Sequence, residues 1–249
     1  MNGYPAVFLN VIERRFHLFG LTLADSTIYF GVGQTKKSFR AYDIRKGRYD
    51  WTLKLAAVES APVVEGEHIY VADRSRRLTC LKRKDGSVLW QSKDGSTIRD
   101  APIAAAGNLV YLHQNGNLTS RRMDTGALNW TVTLPSNLRA SPQKSYTSPA
   151  TTEDQIFVTT LSGQLLAYGS EHGNILWSYD CGSPIYAPPS SDGSLVFATA
   201  SSGTVYCLNA EAGTLVWSYH VGSVISTAPV IAGTRLVVTA NRGDIILLD

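Results

Sequence analysis

The 249-residue chain contains no run of 18 apolar residues, which excludes a membrane-spanning helix. No segment carries a sustained 3.6-residue apolar period, so almost no helix is expected. Cysteine is scarce and scattered: Cys80, Cys181 and Cys207 are never adjacent and form no CxxC pair. They read as small buried residues rather than a disulfide framework. The five histidines, His17, His68, His113, His172 and His220, include no i, i+4 pair, and HExxH is missing. That excludes the common zinc sites. A GxSxG elbow and a Walker loop are absent as well, which removes the familiar hydrolase and nucleotide-binding classes. The opening MNGYPAVFLNVIERR lacks a basic stretch followed by a clean apolar one, so no signal peptide is expected. The chain is cytoplasmic if complete, and periplasmic or extracellular if a leader has been removed.

What is present is a beat. Trp51, Trp90, Trp130, Trp177 and Trp217 each follow a glycine by four residues, at Gly47, Gly86, Gly126, Gly173 and Gly213. Successive tryptophans are 39, 40, 47 and 40 residues apart. A mostly small residue precedes each glycine by six: Ala41, Cys80, Ser120, Ala167 and Cys207. Eighteen residues before these stand Leu23, Pro62, Pro102, Pro149 and Pro189, and Pro229 continues the series to Leu247. Four residues before the small position come Gly116, Gly163, Gly203 and Gly243, whereas the first two units carry Lys37 and Arg76 there. A fixed period of this length is the mark of a repeat architecture.

Each unit reads as short β-rich runs broken by Gly, Asp and Asn turns, as in Ala61 to Trp90. That pattern means all-β. About 40 residues with four strands is the size of a propeller blade. The expected fold is therefore a β-propeller of four-stranded blades spanning residues 1–249 as one domain. Trp51, Trp90, Trp130, Trp177 and Trp217 are expected to dock between neighbouring sheets, with the preceding glycine supplying a positive φ at the turn.

The phrase small-x-[DN]-x-x-x-G-x-x-x-W reads AYDIRKGRYDW, CLKRKDGSVLW, SRRMDTGALNW, AYGSEHGNILW and CLNAEAGTLVW. It resembles the tryptophan-docking repeat of the quinoprotein (PQQ-like) β-propeller superfamily, in its BamB-like non-catalytic branch, over essentially the whole chain. The match is imperfect, since Asp or Asn at the third position survives only as Asp43, Asn209 and Asp249. The resemblance is specific for fold and unspecific for function, because the superfamily includes PQQ-dependent alcohol dehydrogenases, BamB-type scaffolds and sensor domains. In the dehydrogenases it implies a vicinal cysteine disulfide, a tryptophan floor, calcium ligands and a catalytic aspartate. This chain has no adjacent cysteines and no long insertion to carry such a site. The expectation is a protein that is not an enzyme and has no catalytic residues, metal or cofactor, with PQQ plus Ca²⁺ as the alternative.

The end of the chain is in phase with the middle of a unit: Leu247-Leu248-Asp249 aligns with Ala41-Tyr42-Asp43. Gly3 and Val7 keep the glycine-to-tryptophan spacing. Residues 1 to 12 are thus a candidate outer strand for a sixth blade closed by both termini, which would remove an unpaired edge. The rival is a piece of a longer chain with seven or eight blades.

The net charge of +3 hides an asymmetry: residues 1–125 hold 19 Lys/Arg against 12 Asp/Glu, and residues 126–249 hold 4 against 8. The densest basic stretch joins Asp73-Arg74-Ser75-Arg76-Arg77 to Lys82-Arg83-Lys84. It could attract an anionic partner or serve as a solvated edge that discourages strand pairing. No aromatics are interleaved with it, which argues against nucleic acid.

Propellers bind where one loop per blade converges. Three residues before the strand-opening prolines stand Glu59, Arg99, Tyr146, Tyr186 and Ser226. These types vary while the scaffold positions repeat, which fits either a grafted site or an unconstrained loop. The 47-residue interval adds a long polar connection over 136–145, with Arg139 and Lys144. The expected face comprises Glu59, Arg99, Arg139, Tyr146, Tyr186 and Ser226, presented to a protein or peptide partner. A small-molecule or PQQ-binding sensor or redox propeller is the alternative, and a sensor module of a larger receptor a third reading.

Overall fold

In the computed structural model, the described residues are 18–32, 37–58, 60–98, 101–134 and 148–248, with only the backbone described at 18 and 19. They form 23 strands in six antiparallel sheets and no helix. Sheet 1 is β1 (Leu18–Ala24), β2 (Thr27–Val32), β3 (Ser38–Asp43) and β4 (Arg48–Lys54). Sheet 2 is β5 (Val63–Glu65), β6 (His68–Ala72), β7 (Arg77–Lys82) and β8 (Val88–Lys93). Sheet 3 is β9 (Ile103–Ala105), β10 (Asn108–Leu112), β11 (Asn117–Arg122) and β12 (Leu128–Thr133). Sheet 4 is β13 (Ala150–Thr151), β14 (Gln155–Thr159), β15 (Gln164–Gly169) and β16 (Ile175–Asp180). Sheet 5 is β17 (Ser190–Ser191), β18 (Leu195–Thr199), β19 (Thr204–Asn209) and β20 (Leu215–His220). Sheet 6 is β21 (Val230–Ala232), β22 (Arg235–Thr239) and β23 (Ile245–Leu248). Within each sheet, strands pair in sequence order as a meander. Two compact units contain them, Met1–Pro102 with sheets 1 and 2 and Ile103–Asp249 with sheets 3 to 6.

The landmarks of the sequence each have a mechanical role. Pro62, Pro102, Pro149, Pro189 and Pro229 immediately precede the first strand of their sheets, a position where a missing N–H costs no ladder bond. The small residues are the cross-strand partners of the tryptophans: Ala41 faces Trp51, Cys80 faces Trp90, Ser120 faces Trp130, Ala167 faces Trp177 and Cys207 faces Trp217. All five small residues are at most 1% exposed, and a larger side chain would occupy the indole's space. The register slips directly after each of them, a β-bulge that lets the closing turn twist away. In that turn the glycine N–H bonds the carbonyl four residues back, as from Gly213 to Asn209 at 2.9 Å. Its φ is +68° at Gly213 and lies between +66° and +71° in all five repeats.

The imperfect third position is explained locally. Asp43 Oδ1 accepts the Arg45 and Lys46 N–H groups, and Asn209 Oδ1 accepts that of Ala212. Where this cap is missing, another side chain steps in. Asp85 Oδ1 accepts the Ser87 N–H, and Asp124 pairs with Arg122 at 2.6 Å.

Three of the five tryptophans hydrogen-bond the turn of the following sheet. Trp51 Nε1 donates to the Arg83 carbonyl, Trp130 Nε1 to Ser170 and Trp177 Nε1 to Ala210, at 2.9–3.0 Å. Each acceptor lies three residues before the glycine of the following sheet. A Cβ built on Gly213 would fall 2.4 Å from Trp177 Cδ2, and one on Gly86 2.7 Å from Trp51 Cε3. Only glycine lets the ring lie flat on that turn.

Within each unit, the face of a sheet that carries the indole, its leading face, thus meets the trailing face of the following sheet. Leading Phe157, Leu165 and Ala167 of sheet 4 pack on trailing Val196, Ala198 and Leu208 of sheet 5. The same phases meet between sheets 1 and 2, where Tyr29, Phe39 and Ala41 pack on Ile69, Val71 and Leu81. The core is therefore a series of aliphatic layers between sheets rather than one central cluster. The three cysteines are free and buried, Cys181 in the layer between sheets 4 and 5 and Cys207 in that between sheets 5 and 6. Burial pushes the thiols up, to about 11 for Cys80 and Cys207 and about 12 for Cys181.

Candidate functional site

The connection entering sheet 5 shows how a loop is held on this scaffold. Cys181 N–H bonds the Gly163 carbonyl, Ser201 N–H bonds the Pro184 carbonyl at 2.8 Å, and Thr159 Oγ1 donates to the Ala187 carbonyl at 2.9 Å. Tyr206 Oη donates to the Cys181 carbonyl at 2.7 Å. The connection entering sheet 6 repeats this scheme. Val221 N–H bonds Gly203, Asn241 N–H bonds Val224, and Thr199 Oγ1 bonds Thr227. Both loops are thus clamped between the turns of two successive sheets.

At the centre of each clamp is a buried aliphatic pin four residues before the proline. Ile185 and Ile225 are 0% exposed, and Val58 and Ile98 hold the same phase at 1% and 5%. The residue after the pin is pushed outward. Tyr186 is 52% exposed, and Ser226 is also exposed, its Oγ bonding Asn241 Oδ1 at 2.8 Å. These two expected site residues therefore lie at the same end of sheets 5 and 6, each on a fixed loop. Glu59, Arg99, Arg139 and Tyr146 fall outside the described residues, as do the polar connection 136–145 and the proposed closing strand at 1–12. The pins were missed from sequence, although Val or Ile four residues before a proline recurs at 58, 98, 185 and 225.

The basic stretch is divided by the fold. β7 runs from Arg77 to Lys82, which places Arg74 and Arg76 at one end of the sheet and Lys84 at the other, roughly 15 Å apart at the rise of a strand. Arg83 is committed internally. Its Nε bonds Tyr29 Oη at 3.1 Å, and Nη2 meets Asp25 and the Ala24 carbonyl, tying sheet 2 to sheet 1. Those partners hold its pKa above the ordinary arginine value, the Tyr29 bond most. Arg77 approaches the buried Asp73 at 4.0 Å. The stretch is structural as much as it is surface charge.

A second feature was not anticipated. In the second unit, the turns at the opposite end of sheets 4 and 5 from Tyr186 enclose a cleft of about 820 Å³. Glu153, Asp154, Glu171 and Glu211 line it, with His172 beside Glu171 at 3.6 Å and Leu176 contributing an apolar wall. The surplus of acid in residues 126–249 hinted at it, but the cleft draws on turns from two repeats. Among the described residues, no group of three or more His, Cys, Asp or Glu is placed to hold a metal ion, and no helix is long and apolar enough to cross a membrane. Asn117-Leu-Thr119 and Asn129-Trp-Thr131 lie in paired strands. Their threonines bond each other at 3.0 Å, and Asn129 bonds Ser120 and Asn108.

Meandering four-stranded sheets at a 40-residue period, with indoles docked on the next turn, define a β-propeller of PQQ-like repeats. The chain belongs to the family described as outer membrane protein assembly factor BamB, whose model matches residues 19–184 and 139–249. The BamB of Yersinia pestis is 24% identical over 150 residues, covering 55% of this chain and 38% of that protein. The BamB of Salmonella typhimurium is 30% identical over 87 residues, covering 34% and 22%. The matched segments thus span less than two fifths of these curated relatives. Among solved structures, BamB from Moraxella catarrhalis superposes with a TM-score of 0.56 at 16% identity, over 92% of this chain and 84% of that one. The computationally designed protein Ika8 superposes at 0.74 and 16% identity, over 92% and 70%.

Proposed function

We propose that this chain is a non-enzymatic propeller scaffold that presents one loop face to a protein or peptide, in the manner of an outer membrane protein assembly factor. The observation that carries this reading is the clamped loop. Ile185 is fully buried while its neighbour Tyr186 stands 52% exposed on backbone held from both sides. A rigid aromatic on a pre-formed loop loses little ordering entropy on binding, and tyrosine is among the side chains that dominate interfaces. Arg99, Arg139, Tyr146 and Glu59 are proposed to extend the same face, with Ser226 at its margin. Family membership supports an assembly role, and the relatives named as outer membrane protein assembly factors suggest the partner class, outer membrane proteins.

The test is binding of a fluorescently labelled, unfolded outer membrane β-barrel protein, followed by anisotropy. Replacing Tyr186, Arg99 and Arg139 together with alanine should weaken binding about tenfold or more and leave the melting temperature unchanged. Unchanged binding rejects this face. Saturable quenching of tryptophan fluorescence by PQQ with Ca²⁺ at low micromolar concentration would replace the scaffold reading with a cofactor-binding one.

A further inference from the structure

One end of sheets 1 and 2 is built at a cost that the other repeats avoid. At the turn between the second and third strands, Lys37 and Arg76 hold φ of +37° and +65°, where Gly116, Gly163, Gly203 and Gly243 hold +84° to +91°. A side chain in that left-handed region costs roughly 1 kcal/mol or more. The last strand of each sheet ends beside the same turn, with the Leu55 N–H on the Lys37 carbonyl and the Asp94 N–H on the Arg76 carbonyl. There Lys93 is the cross-strand partner of Arg77, and Lys54 that of Ser38. Like charges directly opposite one another are destabilising. In sheets 3 and 5 the matching pairs are neutral and hydrogen-bonded, Thr133 Oγ1 to Asn117 Oδ1 at 3.0 Å and Thr204 Oγ1 with His220 Nδ1 at 3.3 Å. Lys37, Lys54, Arg76, Arg77 and Lys93 are all exposed. Sheets 1 and 2 pack face to face, which sets the two turns about 10 Å apart. Among the described residues, the acids at this end are Asp73 and Asp94. Asp73 is buried, its Oδ1 accepting the Ser75 and Arg77 N–H groups of its own turn.

We propose that this basic rim of sheets 1 and 2 is a docking surface for an acidic segment of a partner protein, one that presents several Asp or Glu side chains. It stands apart from the Tyr186 loop, since every residue it uses lies in the first compact unit. Charge complementarity names the occupant. Glycine and neutral pairs serve at the same positions elsewhere in the repeat, so the fold itself does not call for cations there. Carboxylates brought between Arg77 and Lys93 replace repulsion by attraction, which offsets what the free chain loses in strain and like-charge contact. Arg76 is already fixed, its Nη1 donating to the Gly95 carbonyl at 3.1 Å, so little side-chain freedom is lost on binding. Its guanidinium and that of Arg77 match the planar fork of a carboxylate. None of the exposed large apolar side chains described in sheets 1 and 2 lies in these turns. The rim therefore offers no ring on which a base would stack and no apolar side chain to enter a bilayer. Lys82 and Lys84 adjoin the rim in sequence but sit at the other end of β7 and take no part.

The experiment follows the anisotropy of a fluorescein-labelled peptide of alternating Glu and Ser, titrated with the whole chain at low and high salt. The wild type should bind it saturably, and binding should weaken as salt rises. The double variant Lys37→Gly/Arg76→Gly places the residue of the other repeats at both turns. It should keep its circular dichroism, melt no lower than the wild type and bind the peptide about tenfold more weakly. Lys54→Gln/Lys93→Gln leaves both turns intact and should show a similar loss, which keeps the test decisive if the glycine variant folds poorly. Lys82→Gln/Lys84→Gln removes as much charge from the opposite end of the sheet and should bind as the wild type does. A wild type that does not bind the peptide overturns the proposal, as does undiminished binding by Lys54→Gln/Lys93→Gln. An equal loss in Lys82→Gln/Lys84→Gln also overturns it, because net charge alone would then account for binding. Tighter binding of vesicles rich in anionic lipid, or of a single-stranded oligonucleotide, would assign the rim to phosphate instead of an acidic protein segment.

Discussion

Repeats 4 and 5 and repeats 1 and 2 solve the same geometric problem by different means. In the later pair, the turn between the second and third strands closes on Gly163 and Gly203, at φ of +91° and +88°. A Cβ there would lie 2.6 Å and 2.5 Å from the Ser183 and Ser223 carbonyl oxygens. Backbone packs directly on backbone. In the earlier pair, the same turn position is Lys37 at +37° and Arg76 at +65°, a region that L-residues enter at a cost of roughly 1 kcal/mol or more. Arg76 Nη1 reaches the Gly95 carbonyl at 3.1 Å, and Arg83 braces sheet 2 against Tyr29 and Asp25 of sheet 1. At this turn the later repeats use glycine with direct backbone approach, whereas the earlier ones carry long basic residues, and Arg76 and Arg83 reach across to neighbouring groups. The charge asymmetry of the sequence therefore follows, in part, from how the sheets are braced.

Substitutions can break or sharpen this contrast. The largest expected effect is common to both pairs. Trp177→Ala should cost about 3 kcal/mol, read from urea denaturation, and Trp51→Ala a similar amount, because both indoles lie on the glycine turn of the following sheet. A loss under 1 kcal/mol at either position would show that docking does not support both units alike. Next comes the glycine contrast. Gly203→Ala should cost about 2 kcal/mol through steric overlap and an unfavourable φ. Arg76→Gly at the matching position should leave stability unchanged or raise it by up to about 1 kcal/mol. A clear loss at Arg76 would mean that its bond to Gly95 outweighs the backbone strain.

Smaller effects belong to the side-chain braces. Arg83→Ala should cost about 1 kcal/mol, since it removes four partly exposed bonds at once. Asp25→Ala should cost less than about 0.5 kcal/mol, because that carboxylate is 79% exposed and water screens the pair. The smallest effect is a pH dependence. Backbone and side-chain bonds from Lys46 hold the Asp43 carboxyl below its ordinary value of 3.8. Its folded pKa is therefore lower than its unfolded one, so the stabilisation is present above the unfolded value and is lost as pH falls through the folded one. The Asp43→Asn variant should show a shallower decline of melting temperature below about pH 4, and identical acid profiles would contradict this role for the cap.

The repeat was legible because its markers are steric necessities. The indole needs a small residue across the strand and a glycine under it, and a strand-opening proline tolerates little else. Class, sheet order and the tryptophan contacts follow from those few positions. Ile185 and Ile225 escaped notice because an aliphatic residue in a loop carries no period of its own. Only the clamp made by Gly163, Thr159 and Ser201 reveals that it is a pin. The acidic cleft was invisible for a similar reason. Glu153, Glu171 and Glu211 come from separate turns of two repeats, and nothing in their spacing indicates that those turns meet. The basic stretch misled in the other direction: it is contiguous in sequence, but β7 carries its halves to opposite ends of a sheet.

The central claim is that each Gly-to-Trp unit is one sheet and that the indoles of Trp51, Trp130 and Trp177 dock on the next sheet's turn. Hydrogen exchange of the five ¹⁵N-labelled indole N–H groups tests it most directly. The indoles of Trp51, Trp130 and Trp177 should exchange slowly, in step with the backbone amides of the central strands, because each is bonded to a carbonyl of the following sheet. Exchange of these three at the rate of free tryptophan would contradict the account.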